Sequence, residues 1–211
     1  MRKFLTNLTF ISALVVAVWT NTVFAASTEG ALALIKDTTN KVLDVLKNEK
    51  DTLKSDPKRV YALADDIVLP HFDFERISKY ALGKNWREMN PDQLKRFSKE
   101  FRDMLVRTYA TALLTVSGDK VEVEYLPLRS EKGDKKVTVQ TRVTYEGKKA
   151  AIDYKIYLNK SQKWQVYDVS AEGVSLVTNY RTEFNTDIQK IGVEALIKKI
   201  ADNNKKAEQG K

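Results

Sequence analysis

The chain has 211 residues, 43% of them hydrophobic and 30% charged, with eight glycines, four prolines and a formal net charge of +8. A chain of this size and composition can bury a real core as one domain or two small ones, which excludes a disordered or collagen-like protein. With no cysteine and a single histidine, thiol nucleophiles, disulfides, cysteine-bearing zinc sites and any metal site needing two imidazoles are excluded.

Arg2 and Lys3 open the chain, an apolar run covers residues 11–19, and Val23 and Ala25 precede Ala26. This is the pattern of a secretory leader cleaved after Ala25. The uncharged stretch 4–28 competes as a membrane anchor, but Thr6, Asn7, Thr9, Ser12, Thr20, Asn21 and Thr22 dilute it. Residues 1–25 are therefore expected to be a signal peptide and residues 26–203 the folded domain, with 204–211 a flexible basic tail. Export without any cysteine suits the periplasm.

Leu32, Ile35, Val42, Leu43 and Leu46 repeat near 3.6 residues and predict a helix over 29–50. Asp56-Pro57 is an N-cap and N1 pair opening a second helix, which Pro70 ends. A short helix is expected over 73–82, with Gly83 as its C-terminal stop. Asn90-Pro91 opens the longest helix, to about residue 117, with Leu94, Phe97, Phe101, Leu105 and Tyr109 on one stripe.

After Gly118 the period changes to two. Val121, Val123 and Tyr125 alternate with charged residues, as do Val137, Val139, Val143 and Tyr145 with Lys136, Thr138, Gln140, Arg142 and Thr144. Glu146-Gly147 turns the chain into a third strand, with Ala150, Ile152, Tyr154, Ile156 and Leu158 inward, and 164–169 forms a fourth. Val177, Tyr180, Phe184, Ile188 and Ile191 then mark a helix, and Val193, Leu196, Ile197 and Ile200 a last one. N-terminal helices, a four-stranded antiparallel meander and C-terminal helices make an α+β fold, because no crossover helices separate the strands.

The chemistry available to this chain is narrow. Its glycines are too far apart for a dinucleotide or phosphate loop, and His71 has no accompanying nucleophile motif. Asp65-Asp66, and Asp73 with Glu75, read as solvated charge and helix caps, and Ser170, Glu172 and Ser175 as residues of a strand-to-helix junction. The basic residues are concentrated: nine lie between Lys132 and Lys163, against Asp134, Glu146 and Asp153. Such a face keeps strand edges soluble and can also steer the protein to anionic membranes or acidic partners. Nucleic acid is not an expected partner, since no aromatic residues are interleaved with the exposed basic ones.

Leu69-Pro70, Phe74, the run from Tyr80 to Trp86, Pro91-Asp92-Gln93, and Phe97, Phe101, Leu105, Tyr109 and Ala110 together resemble the MlaC family, also called the toluene-tolerance Ttg family. The run from Trp164 to Val169, followed by Glu172-Gly173-Val174-Ser175-Leu176, resembles that family's strand-to-helix junction. The resemblance implies a soluble, monomeric periplasmic phospholipid carrier of Gram-negative bacteria. It would hold phospholipid as cargo and use no cofactor. It would shuttle lipid between an outer-membrane lipoprotein complex and an inner-membrane ABC transporter with its substrate-binding ring, maintaining outer-membrane lipid asymmetry.

The implied fold encloses an apolar pocket for acyl chains and leaves the head group in solvent. From the inward strand faces and helix stripes, Leu105, Tyr109, Leu113, Val139, Val143, Ile152, Tyr154, Ile156, Val174 and Val177 are the expected lining. Lys135, Lys136, Arg142, Lys148, Lys149 and Lys155 are the expected docking residues for partner complexes. Two other readings stay open: a small-molecule enzyme with an apolar cavity, for which Asp153 and Asp168 are the acidic candidates within the third and fourth strands, and a ligand-free periplasmic scaffold or chaperone.

Overall fold

The structure is a computed structural model and describes residues 27–110, 120–131 and 133–208. The segment expected to be a leader (1–25), Leu113 and the expected end of the longest helix near residue 117 lie outside the described residues.

The helical elements begin where local chemistry satisfies their free N–H groups. Helix α1 spans Thr28–Asn48, and a short α2 (Lys50–Ser55) follows that the apolar period did not announce. Asp56 caps α3 (Pro57–Leu63), its Oδ1 accepting from the Lys58 N–H at 3.0 Å. The helix expected to continue to Pro70 instead widens into a π turn over Ala64–Val68, where the Leu69 N–H reaches back to the Ala64 carbonyl, and ends as a 3-10 turn over Leu69–His71. Pro70 has no N–H with which to extend the α-helical ladder.

Asp73 caps α4 (Phe74–Leu82) through the Arg76 N–H at 2.9 Å. At the start of α5 (Pro91–Ala110), the Gln93 N–H donates to Asn90 Oδ1 and the Asn90 N–H donates to Gln93 Oε1, both at 2.9 Å. This reciprocal pair is a capping box.

Strands β1 (Val121–Tyr125), β2 (Lys136–Tyr145), β3 (Lys148–Leu158), β4 (Trp164–Ala171) and β5 (Val174–Ser175) form one antiparallel sheet in chain order. The four expected strands are present, and β5 adds a two-residue fifth. It exists because Glu172 and Gly173 both adopt positive φ (50° and 78°), the geometry of a tight two-residue hairpin turn that Gly supplies without strain. Helices α6 (Leu176–Ile191) and α7 (Val193–Glu208) complete the fold.

The boundary expected at residue 203 moves: α7 continues through Glu208. Asn204 is buried, with Nδ2 donating to both the backbone carbonyl and Oε2 of Glu100 at 2.9 Å, so a contact with α5 holds the last turns that composition marked as a loose tail.

Burial divides among three clusters. The largest is helical, with Phe97, Phe101 and Phe184 meeting edge-on and tilted at 5.1–5.6 Å among α4, α5, α6 and α7. A second joins the first half of α1 to the sheet. A third joins the second half of α1 to α2, α3, the π turn and α5.

Candidate functional site

Antiparallel register gives the sheet two chemically different faces. On the inner face, Val137, Val139, Thr141 and Val143 of β2 stand opposite Ile156, Tyr154, Ile152 and Ala150 of β3. On β4, Val166, Val169 and Ala171 pair with Ile156, Tyr154 and Ile152. None of these positions is charged. Alternation with period two puts every second residue here, and β-branched side chains fit the pleat.

The first half of α1 lies on one end of this face, where Ala31, Leu32, Leu34 and Ile35 pack with Val137, Val139, Ile156, Trp164 and Val166. Trp164 Nε1 donates to the Ser27 carbonyl at 3.0 Å and ties the start of α1 to β4. Val143, Ala150 and Ile152 continue the same face but are half-buried and belong to none of the three clusters. The second half of α1 turns Val42, Leu43, Val45 and Leu46 toward Leu53, Val60, Ala64, Val106 and Ala110. Among the described residues α1 alone is common to these two clusters, so it forms one wall against two apolar surfaces.

Of the expected lining, the structure brings Val139, Val143, Ile152, Tyr154 and Ile156 together on the inner face. Val139 and Ile156 are fully buried beneath α1. Leu105 and Val177 are buried in the helical cluster instead, where their stripes meet other helices. Tyr109 is 49% and Val174 64% exposed, the latter at the β4–β5 turn. The α1 residues Leu32 and Ile35, which sequence reasoning left out of the lining, carry a visible helical stripe. A stripe shows that a face is buried without naming what it meets.

Tyr125, Thr141 and Tyr154 are the polar members of the inner face. Thr141 Oγ1 donates to the Ile152 carbonyl across the strand pair at 2.7 Å. Tyr125 stands opposite Thr141 on β1, and its buried hydroxyl has no hydrogen-bond partner. Burial, reinforced by Tyr125, pushes the Tyr154 phenol up to about 12, so it stays protonated at neutral pH.

The outer face is polar and tied together. A bulge between Lys155 and Ile156 leaves Tyr167 as an extra residue on β4, its ring edge-on to Tyr80 and Tyr157 at 5.7 and 5.9 Å. Asp168, 5% exposed, accepts from Lys155 Nζ at 2.9 Å, Ser175 Oγ at 2.7 Å and the Val177 N–H at 3.2 Å. Ser175 in turn caps α6 by accepting from the Thr178 N–H. Tyr157 donates a short hydrogen bond to Asp73, and Arg76 stacks 3.6 Å from the Tyr157 ring centroid. The acidic candidates Asp153 and Asp168 both occupy this face, opposite Ser170 and Lys155, and not the apolar one.

Lys136, Arg142, Lys149 and Lys155 share the outer side, while Lys135 and Lys148 sit at strand ends. All but Lys155 are exposed. His71 ends the 3-10 turn half-buried, and burial followed by the charge of Lys41 pushes its imidazole down. A groove of about 470 Å³ between α5 and α7 is lined by Arg96, Glu100, Glu194, Ala195, Ile197, Lys198 and Ala201, away from the sheet. Among the described residues no cluster of His, Asp and Glu is arranged to hold a metal, and no helix is long and apolar enough to cross a membrane.

An antiparallel sheet with an apolar inner face beneath helix α1 is an architecture suited to enclosing aliphatic ligands. The family profile described as "MlaC protein" matches residues 36–202, and the chain belongs to that family. It is 25% identical over 205 residues to the intermembrane phospholipid transport system binding protein MlaC of Haemophilus influenzae, covering 95% of this chain and 92% of that one. It is 28% identical over 161 residues to the toluene tolerance protein ttg2D of Pseudomonas putida, covering 75% and 73%. Its fold matches the phospholipid-binding protein of Ralstonia solanacearum, solved in complex with a phospholipid. The TM-score is 0.77 and the identity 30%, with 83% of this chain and 97% of that one covered.

Proposed function

We propose that this protein is a periplasmic phospholipid carrier that holds acyl chains against the inner sheet face and leaves the head group in solvent. The observation that carries this reading is the uncharged inner face, which is dry beneath α1 and half-buried at Val143, Ala150 and Ile152. Kinship with proteins named for phospholipid transport and phospholipid binding supports it.

Two acyl chains of ~32 methylenes gain on the order of 25 kcal/mol on leaving water, at ~0.8 kcal/mol per methylene, so a lipid crosses an aqueous space only inside a carrier. Its competitor is a bilayer, where the chains are equally dry. Exchange therefore needs only a pocket matched to the membrane within a few kcal/mol, and direction comes from docking partners.

In this reading those partners are an outer-membrane lipoprotein complex and an inner-membrane ABC transporter. The exposed Lys135, Lys136, Arg142, Lys148 and Lys149 supply the docking charge, whereas Lys155 is engaged by Asp168. Reversing the exposed charges should slow transfer between membranes and flatten its salt dependence; unchanged transfer and salt response would remove this surface from consideration. The carrier reading itself is tested by native mass spectrometry of detergent-free protein followed by lipid extraction. Bound phospholipid is the expected result; a bare mass that also takes no lipid from vesicles would overturn it.

A further inference from the structure

The inner face holds two polar groups that the fold treats differently. Thr141 Oγ1 donates to a carbonyl of its own sheet, while the Tyr125 hydroxyl, directly across on β1, is buried without any partner. An unpaired buried hydroxyl is costly, and substitution by Phe would keep the ring and remove that cost. The phenol therefore fits a role with a ligand that brings its own hydrogen-bonding atom.

The surroundings narrow what that atom can be. Lys36 is exposed on α1, with Nζ 5.2 Å from the Tyr125 ring centroid. Tyr125 also packs against the apolar cluster that holds Val137, Val139 and Ile156. An exposed cation, a buried hydroxyl and an aliphatic surface thus meet around one ring. A diacyl phospholipid carries the complementary groups, phosphate, ester and acyl chain, close together in one molecule. A phenol hydroxyl donates to an oxygen, and against an apolar face the oxygen that arrives with buried acyl chains is the ester carbonyl, since the charged phosphate keeps to solvent. Tyr154, on β3 of the same face and close enough to feel Tyr125, gives a second phenol nearby.

We propose that Tyr125 is a specificity-determining residue whose hydroxyl donates to an ester carbonyl of the bound phospholipid, so that the protein prefers diacyl over dialkyl-ether lipids. This inference rests on the carrier reading. The test offers the full mature protein vesicles containing equal amounts of diacyl and dialkyl phosphatidylcholine with matched chains, and reads the bound ratio by native mass spectrometry. The native protein should favour the diacyl lipid by about two- to tenfold, the worth of one neutral hydrogen bond, and Tyr125→Phe should bring the ratio close to one.

Equal binding of both lipids by the native protein, or a preference that survives Tyr125→Phe, would overturn the subsite while leaving the carrier reading intact. Binding of neither lipid would overturn both. Thermal unfolding of the lipid-free protein adds a control: Tyr125→Phe should leave stability unchanged or raise it. A fall would mean that the hydroxyl already serves the fold, and would also overturn the proposal.

Discussion

Along β2, β3 and β4, the side chains directed inward are aliphatic or aromatic apart from Thr141 and, at the exposed start of β3, Lys148, whereas most of their neighbours directed outward are charged or polar. The inner face coheres through burial, which is non-directional and tolerates a guest of variable shape. The outer face around β4 coheres through directed bonds. Asp168 joins Lys155, Ser175 and the Val177 N–H, and Tyr157 joins Asp73 at the cap of α4. The comparison teaches that one set of strands can carry an adaptable surface on one side because the other side fixes the helices.

That contrast can be broken at three points, taken from the largest expected effect on stability to the smallest. Ile156 is fully buried beneath α1, so Ile156→Ala should destabilise the protein by about 3–4 kcal/mol in urea unfolding through lost contacts and the cavity left behind. A change under about 1 kcal/mol would mean that this end of the face is not a packed core.

Asp168→Ala should cost about 2–3 kcal/mol, because the Ser175 hydroxyl and the Val177 N–H lose their acceptor at the start of α6. Urea unfolding indistinguishable from the native protein would show that the outer network does not fix the helix.

Val143→Glu sharpens the comparison from the opposite direction. Val143 is half-buried outside the packed clusters, so the lipid-free protein should change by no more than about 1 kcal/mol while co-purifying phospholipid is lost. Retained lipid would remove Val143 from the lining.

The mixture of legible and hidden features has a physical pattern. Asp56-Pro57, Asp73 and Asn90-Pro91 announced three helix starts because capping is decided within four residues of chain. The strands were readable because each alternates, and alternation also placed Tyr125, Val139, Val143, Ile152, Tyr154 and Ile156 on one side. Helix α2 and the π turn were not readable, since six- and five-residue elements are too short to develop a period.

By itself the sequence determined the longer helices and strands, the two-sided sheet and the family resemblance, all of which arise from local spacing and residue type. Only the tertiary structure decided which buried residues share a neighbourhood. Leu105 and Val177 carry the same apolar signal as Val139 and Ile156, yet they pack among helices while the latter pair lies beneath α1. Likewise, Asp168 reads as one more acidic residue until a bulge and a tight turn bring Lys155, Ser175 and Val177 around it. The reason is that periodicity records only that a side chain leaves water, whereas its destination depends on contacts between segments far apart in the chain.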